Sequence, residues 1–408
     1  MATNRRMLRL VFGAALLAAA TWISAPGEAH KAITSKYTYN DDVFPILRDR
    51  CSRCHVPGGV APMSLMTYDD AFPWAESIRA ELIAAHMPPW NADESFGELK
   101  RAHTLSPKEL DIVLTWATGG NPRGAIDQKL PAVTLRNDWP LGKPDVALPL
   151  PAEFTLAADK MDDTQEFTIP TGLNEPRWVR AGDLLPGTPS IVRSAIIYVK
   201  NQQAPTSAVA PEQVLARWLP GHDPEPTADA VAMRLPANAQ LGVRIHYKKT
   251  WQFEGKPMTD RSTVGIYFAP VQTAQELLAI PIASEKAPGA GTDDTFTFTQ
   301  TIDQDVQALA LSTDQVMPNI TLQVEALRPD GSRAPLLRLN TRADWDRRYW
   351  FERPIALPRG TRVQVTATLK DPDLMSAAFS SNAARPTATS PLRLMLNAVA
   401  AQAKPAAP

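Results

Sequence analysis

The stretch Leu241-Gly242-Val243-Arg244-Ile245-His246-Tyr247 decides most of the fold. Apolar side chains at 241, 243, 245 and 247 alternate with Gly242, Arg244 and His246. A period of two sends the first set to one face of a pleated strand and the second to the other. Further on, Val363, Val365, Ala367 and Leu369 alternate in the same way with Arg362, Gln364, Thr366 and Thr368. Segments of this kind, separated by Pro, Gly and Asp turns, read as half-buried antiparallel strands. The chain holds 38 prolines against 20 glycines, which argues against a helical bundle and for β-rich domains joined by rigid turns. About 230 such residues are expected to form two sandwiches rather than one. A seam between Pro270 and Gly291 is expected because Ala287-Pro288-Gly289-Ala290-Gly291 falls there, and the Ala-, Pro-, Ser- and Thr-rich chain from Ser380 reads as a flexible tail.

The whole chain has 408 residues, 44% hydrophobic and 21% charged, the composition of a globular protein with two or three domains. Lysine and arginine number 42 against 43 acidic residues, for a net charge of −1, so nothing suggests a nucleic-acid partner. Two cysteines exclude both a disulfide-stapled scaffold and a four-cysteine zinc ribbon.

The N-terminus reads as an export signal over residues 1–29. Arg5, Arg6 and Arg9 precede the apolar run Leu10–Ile23, and Gly27-Glu28-Ala29 offers a small-residue cleavage site before His30. The run is short for a membrane span, with an uncleaved anchor as the alternative. Cleavage leaves a mature net charge of −3 and a periplasmic chain with no later transmembrane segment.

Both cysteines lie in Cys51-Ser52-Arg53-Cys54-His55. This C-x-x-C-H spacing is the haem c attachment signature, in which two thiols add to the vinyl groups and the adjacent histidine ligates iron. Helical signals flank it. Asn40 reads as the cap of a helix carrying Phe44, Leu47 and Cys51 on one face, and Ser106-Pro107-Lys108-Glu109 reads as a capping box opening a helix that ends at Gly119-Gly120. A middle helix is expected from about Trp74 to Ala85. This pattern predicts an all-α class I cytochrome c domain over residues 36–125. Cys51 and Cys54 would hold the haem and His55 would be the proximal iron ligand. Met63, Met66, His86 and Met87 are candidates for the distal position, and Met87 is preferred because Pro88 and Pro89 follow it in an extended loop. Residues 126–150 read as a linker that packs through Trp139.

Several blocks, in order, resemble bacterial proteins in which a cytochrome c domain precedes a copper type II ascorbate-dependent monooxygenase module, the relatives of peptidylglycine and dopamine hydroxylases. They are Ala61-Pro62-Met63-Ser64-Leu65, Met87-Pro88-Pro89-Trp90, Trp139 with Gly142-Lys143-Pro144-Asp145, Trp178-Val179-Arg180-Ala181, Ile245-His246-Tyr247, Thr259-Asp260-Arg261-Ser262 and Arg328-Pro329-Asp330-Gly331. The resemblance implies an all-β double jelly-roll sandwich, a first jelly roll over 151–270 and a second over 271–380, followed by the tail 381–408. Each domain would contribute one copper.

The copper residues depart from that pattern. Arg193 and Ser194 stand where the resemblance implies a His-His pair, and Met317-Pro318 is followed by Asn319-Ile320-Thr321 where it implies His-x-His. His246 and, less securely, Met395 match the remaining ligands. Copper needs several convergent imidazole or thioether donors, and a guanidinium opposes a cation, so a module that has lost copper is expected. His222 reads as a solvated turn residue. His30 reads as a frayed terminus, and the cluster Trp345–Trp350 as an interface or packing element.

Together these readings describe an exported haem c protein that transfers single electrons with a periplasmic donor or acceptor protein. Its β module would serve as a docking or binding scaffold. The alternative is a copper monooxygenase fed by its own haem, and a third reading is a subunit presenting haem to a larger assembly.

Overall fold

The computed structural model describes residues 34–100, 104–200, 213–224, 226–227, 230–270, 275–285, 295–316, 320–342, 345, 347–369 and 392–401. The expected signal over 1–29, His30, His103, Met317 to Asn319 and, of the expected tail over 381–408, residues 381–391 and 402–408 lie outside those residues; Arg393–Ala400 of that tail form a strand.

Within the described residues the chain is mostly β. Eleven strands precede residue 277: β1 Val146–Pro149, β2 Phe154–Leu156, β3 Asp162–Pro170, β4 Arg177–Leu185, β5 Val192–Val199, β6 Gln213–Trp218, β7 Val231–Leu235, β8 Gln240–Lys248, β9 Met258–Asp260, β10 Thr263–Phe268 and β11 Gln275–Glu276. They form a sheet in the order β1-β10-β4-β7-β11, a second in the order β3-β8-β5-β6, and a β2-β9 ribbon. The remaining strands are β12 Leu278–Ala283, β13 Thr295–Thr301, β14 Val306–Gln315, β15 Ile320–Leu327, β16 Arg333–Asn340, β17 Arg348–Leu357, β18 Arg362–Leu369 and β19 Arg393–Ala400. These pair as β12-β19-β14-β17 and β13-β18-β15-β16.

The two sheets of each half share one apolar core. In the first half, Leu241, Val243, Ile245 and Tyr247 of β8 are completely buried and pack with Val179 and Leu184 of β4, Ile197 of β5 and Val264 of β10. Leu309, Ala310, Trp350 and Val399 from the second half join the same cluster, so the two halves abut through apolar contacts. Trp139 docks on Gly265 of β10, where a Cβ would come within 2.7 Å of the indole; only glycine admits the ring.

Charged groups buried among the strands are hydrogen-bonded. Asp260 is 1% exposed; its Oδ2 accepts from the Tyr247 hydroxyl (3.0 Å) and the Ser262 hydroxyl (2.8 Å), while Oδ1 accepts from the Thr188 N–H (2.8 Å). Burial, with the Asp260 charge beside it, pushes the Tyr247 phenol far above its ordinary range.

Among the described residues the N-terminal segment has four short α-helices: α1 Phe44–Arg50, α2 Tyr68–Ala71, α3 Ala75–Ile83 and α4 Pro107–Thr118. The capping box at Ser106 is present in both directions, with the Glu109 N–H donating to Ser106 Oγ (3.2 Å) and the Ser106 N–H to the Glu109 carboxylate (2.7 Å). Asn40 does not cap its helix. Thr38 accepts the first-turn amide of Asp41, and Asn40 instead donates to the Ala125 carbonyl at 2.8 Å.

The expected fold class, an all-α class I cytochrome c domain ahead of an all-β double jelly-roll sandwich, is therefore corrected. Residues 36–125 are not a separate all-α cytochrome c domain. Between α3 and α4 the chain leaves the helices and runs as a strap along the second half, with Ala92 bridged to Leu339 of β16 and Leu99 to Phe351 of β17. Both are edge strands of their sheets, whose free N–H and C=O groups invite such pairing. Asp93 pairs with Arg338 at 3.1 Å, and Trp90 packs against the apolar core of the second half. The helical core itself takes in Leu130, Val133 and Leu135 from the expected linker. Seven-, four-, nine- and twelve-residue helices bury too little surface on one another, and the β body supplies the rest.

Candidate functional site

Cys51 caps α1 and begins a tight turn. The amides of Cys54 and His55 both donate to the Cys51 carbonyl (3.1 and 2.8 Å), which gathers the two thiols and the imidazole into one turn. Leu65 N–H then donates to the His55 carbonyl (3.1 Å), and the His55 ring nitrogen Nδ1 lies 3.2 Å from the Met63 carbonyl. Because a carbonyl only accepts, Nδ1 carries the proton and Nε2 keeps its lone pair. Burial holds the imidazole below its ordinary pKa, with the Met63 carbonyl acting in the opposite direction.

Burial raises both thiols, Cys51 to about 12 and Cys54 to about 11, so neither is a thiolate at neutral pH in the folded chain. Arg193 and Arg53 oppose the rise at Cys54. The loop after β6 covers Cys54. Its Sγ is 3.6 Å from the Pro220 carbonyl, and a Cβ on Gly221 would lie 3.0 Å from Sγ and 2.8 Å from Arg53 Cβ. Gly221 also has a φ of +74°, so two constraints select glycine there. Arg53 reaches across to the Gly221 carbonyl (3.2 Å) and to Asp223 (2.8 Å). A cleft of about 670 Å³, counting its open mouth, runs alongside; Arg53, Val60, Leu135, Trp218 and Pro220 line it.

Asp183 on β4 borders this cleft. It is 2% exposed, its Oδ1 accepts from the Leu184 N–H at 2.8 Å, and its Oδ2 has no hydrogen-bond partner. Burial pushes the carboxyl up to about 7, the Leu184 amide opposes this and the Asp223 charge adds to it. Nothing in the sequence around Asp183 distinguishes it from a surface aspartate; only the crossing strands reveal its burial.

The candidate distal ligands separate in space. Met66 is buried in the helical core and Met63 packs on it beside Cys51. Met87 follows α3, its amide directed at the Glu81 carbonyl (3.4 Å), at the start of the strap. Its neighbours face the β body: the Pro89 carbonyl accepts from Arg347 (2.7 Å) and Trp90 stacks edge-on to Tyr349. No described hydrogen bond or core cluster joins Met87 to His55. His86 is exposed and directed at Glu81 (3.2 Å).

The positions aligned with the copper ligands also come together. Register places Ser194 of β5 directly opposite His246 of β8. Arg193 donates through Nε to the Lys248 carbonyl (3.2 Å) and through Nη1 to the Val60 carbonyl, tying the β module to the loop that follows Cys54-His55. His246 Nε2 is 2.9 Å from Asp162 Oδ1. Burial raises the Asp162 carboxyl, but His246, Lys248 and Arg193 outweigh it, and the net direction is down. One imidazole held by a carboxylate, beside a guanidinium, does not suit copper. Met395 lies buried on β19, paired with Pro281 and Ser312.

Among the described residues no three or more His, Cys, Asp or Glu side chains are grouped to hold a metal ion. The expectation of a metal-binding cytochrome c is corrected to that extent: the fold is not that of a cytochrome c, and the described residues contain no multi-ligand centre. Among those residues no helix is long and apolar enough to cross a membrane.

No family model matches this chain, and no curated protein does. Among solved structures it is similar to allantoicase at 10% identity, covering 58% of this chain and 78% of that one with a TM-score of 0.18. A protein of the Sulfolobus turreted icosahedral virus matches at 10% identity over 67% of this chain and 99% of its own, with a TM-score of 0.14. The infectious bursal disease virus VP2 subviral particle matches at 10% identity over 66% and 72%, with a TM-score of 0.17. Likenesses this low leave fold and function to be argued from the residues themselves.

Proposed function

We propose that this protein carries one covalently attached haem on the turn Cys51–His55 and exchanges single electrons with a partner protein outside the cytoplasm. The observation that carries the reading is the arrangement of that turn: two thiols three residues apart, and an adjacent neutral imidazole whose Nδ1 is engaged by a carbonyl. A histidine fixed in this way offers Nε2 to a metal, because the second hydrogen bond sets both tautomer and ring orientation. Cys51 and Cys54 would hold the porphyrin and His55 would be the proximal ligand. Bound there, the haem would supply a reversible one-electron couple.

The remaining residues position and shield. Arg53 and Arg193 lock the turn to the β module through the Gly221 and Val60 carbonyls, and Pro220 and Gly221 close over Cys54. Buried thiols with pKa values of about 11 and 12 are poor nucleophiles, so attachment belongs before this loop closes. Met87 is the proposed distal ligand. The β module serves as a scaffold, since its remaining copper-like position, His246, is occupied by Asp162.

The test is a potentiometric titration of the full exported chain followed by optical spectroscopy. A reversible one-electron transition, low-spin spectra in the parent and loss of thioether-ligation features in Met87→Ala support the reading. Absence of any reversible couple overturns it, and spectra unchanged in Met87→Ala remove Met87 from the iron.

A further inference from the structure

The strap over residues 90–100 fastens to the edges of two different sheets. β16 and β17 are each the outermost strand of a four-stranded sheet in the second half. At the β16 edge the Asp93 N–H donates to the Arg338 carbonyl (2.7 Å) and the Asn340 N–H to the Asn91 carbonyl (3.0 Å), an antiparallel pairing centred on Ala92 and Leu339. At the β17 edge the Glu352 N–H donates to the Glu98 carbonyl (2.8 Å) and the Lys100 N–H to the Trp350 carbonyl (2.9 Å), centred on Leu99 and Phe351. Each clamp also sets an apolar anchor against the core of the second half, Ala92 at one and Leu99 at the other.

The same charge arrangement repeats at both clamps. Asp93 pairs with Arg338 at 3.1 Å and Glu98 with Arg353 at 2.6 Å. Gln323 Oε1 (2.9 and 3.0 Å) and the Phe96 ring (4.2 Å) hold the Arg338 guanidinium in place to receive the carboxylate. Glu352 lies beside Arg353 as an opposing charge, so the complementarity is in these two pairs and not in a net positive surface. An open edge, an extended segment, an apolar anchor and a matched charge are the parts with which one chain adds a strand to another's sheet.

The strap uses little of what the edges offer. β16 is eight residues long and β17 ten, yet the strap pairs at residues 338–340 and 350–352. Between the clamps it turns. The Phe96 N–H donates to the Asp93 carbonyl (3.2 Å), and Gly97, at a φ of +84°, stands where a Cβ would lie 2.7 Å from the Leu336 carbonyl oxygen. A segment without that turn can continue antiparallel past Arg338 toward Arg333 and pair with more of β16 than the strap does.

We propose that the β16 and β17 edges form a strand-addition site for an extended acidic peptide segment of a partner protein, and that the strap occupies this site in cis as an autoinhibitory ligand. The partner segment carries a carboxylate for Arg338 or Arg353 next to a small or aliphatic anchor. Tethered at both ends, the strap acts at high effective concentration, so a free segment enters only where the strap is loosened. The site stands on main-chain pairing and ion-pair geometry and does not depend on haem.

The test compares the full parent chain with an Asp93→Pro/Leu99→Ala variant, which loses the Asp93 N–H, its carboxylate and the Leu99 anchor. Hydrogen exchange at the Asn340 and Glu352 amides should be faster in the variant, because the strap carbonyls are their acceptors. A fluorescent peptide with the sequence of residues 90–100 should bind the variant saturably, one per chain, about tenfold or more tightly than it binds the parent, and should slow exchange at both amides again. The same peptide with Asp93→Lys and Glu98→Lys should bind about fivefold more weakly, and salt should narrow that difference. Leu99→Ala alone, which frees only the β17 clamp, should show the same ordering at smaller amplitude and serves if the double variant does not fold. Unchanged exchange at both amides, no saturable binding to the loosened chain, equal affinity for parent and variant, equal affinity of the two peptides, or binding that leaves both amides unprotected would overturn the proposal.

Discussion

Replacing Asp183 by asparagine should make the protein more stable at neutral pH, and the structure fixes the size and the pH window. Asp183 is 2% exposed, one carboxyl oxygen has no partner, and its pKa stands at about 7 against an ordinary value of 3.8. The sign follows from linkage. The folded state binds this proton more tightly than the unfolded chain does, so the contribution is most favourable below about pH 4, declines as pH rises, and is fully lost above about pH 7. A rise from 3.8 to about 7 corresponds to about 4 kcal/mol, an upper figure for a site that can relax. Asparagine has nearly the same shape and no charge, and its carbonyl can keep the Leu184 amide. Thermal unfolding of parent and variant from pH 4 to 8 is the assay. The two curves should meet near pH 4 and diverge steadily, with the variant on the order of 10 °C more stable at pH 8. Parallel curves across that range would refute the reasoning, because the buried carboxyl would then be ionised at no cost or already solvated.

Three further substitutions probe the scaffold. Asp260→Ala removes the acceptor for the Tyr247 and Ser262 hydroxyls and the Thr188 amide, and should cost about 3 kcal/mol in denaturant unfolding; Asp260→Asn should cost less. Ser106→Ala deletes one half of the capping box and should cost about 1 kcal/mol, visible as earlier amide exchange in α4. Gly221→Ala puts a methyl group 2.8 Å from Arg53 Cβ and 3.0 Å from Cys54 Sγ at a positive φ; it should destabilise by about 1–3 kcal/mol in denaturant unfolding.

The β body was legible where one strand carries one face. The alternation at Leu241–Tyr247 and at Val363–Ala367 marks strands because each buries a single side, and a period of two records that directly. The helix at Pro107 was legible because its capping box is a local signal. The N-terminal segment misled for the opposite reason: helix caps and periodicity report local structure, whereas the strap from Trp90 to Lys100 is held by pairing with β16 and β17, more than 200 residues away. Asn40 shows the same failure on a small scale, since its side chain is claimed by Ala125 rather than by its own helix.

The cysteine–histidine turn was legible because its C-x-x-C-H spacing is a local signal within five residues. Its shielding was not, because Pro220, Gly221 and Arg193 reach it only through the fold. Arg193 is the instructive residue. Its type argues against a cation, but only its hydrogen bond to the Val60 carbonyl shows what it does instead, which is to join the β module to the cysteine turn.

The central claim is covalent haem on Cys51–His55, and the most direct measurement is the mass and haem content of the exported full chain after denaturation and acid extraction. One haem per chain that survives extraction, and that is lost from a Cys51→Ala/Cys54→Ala double variant, is the result this account predicts. A chain that emerges with the mass of the polypeptide alone, or one that releases its haem into the extract, would contradict it.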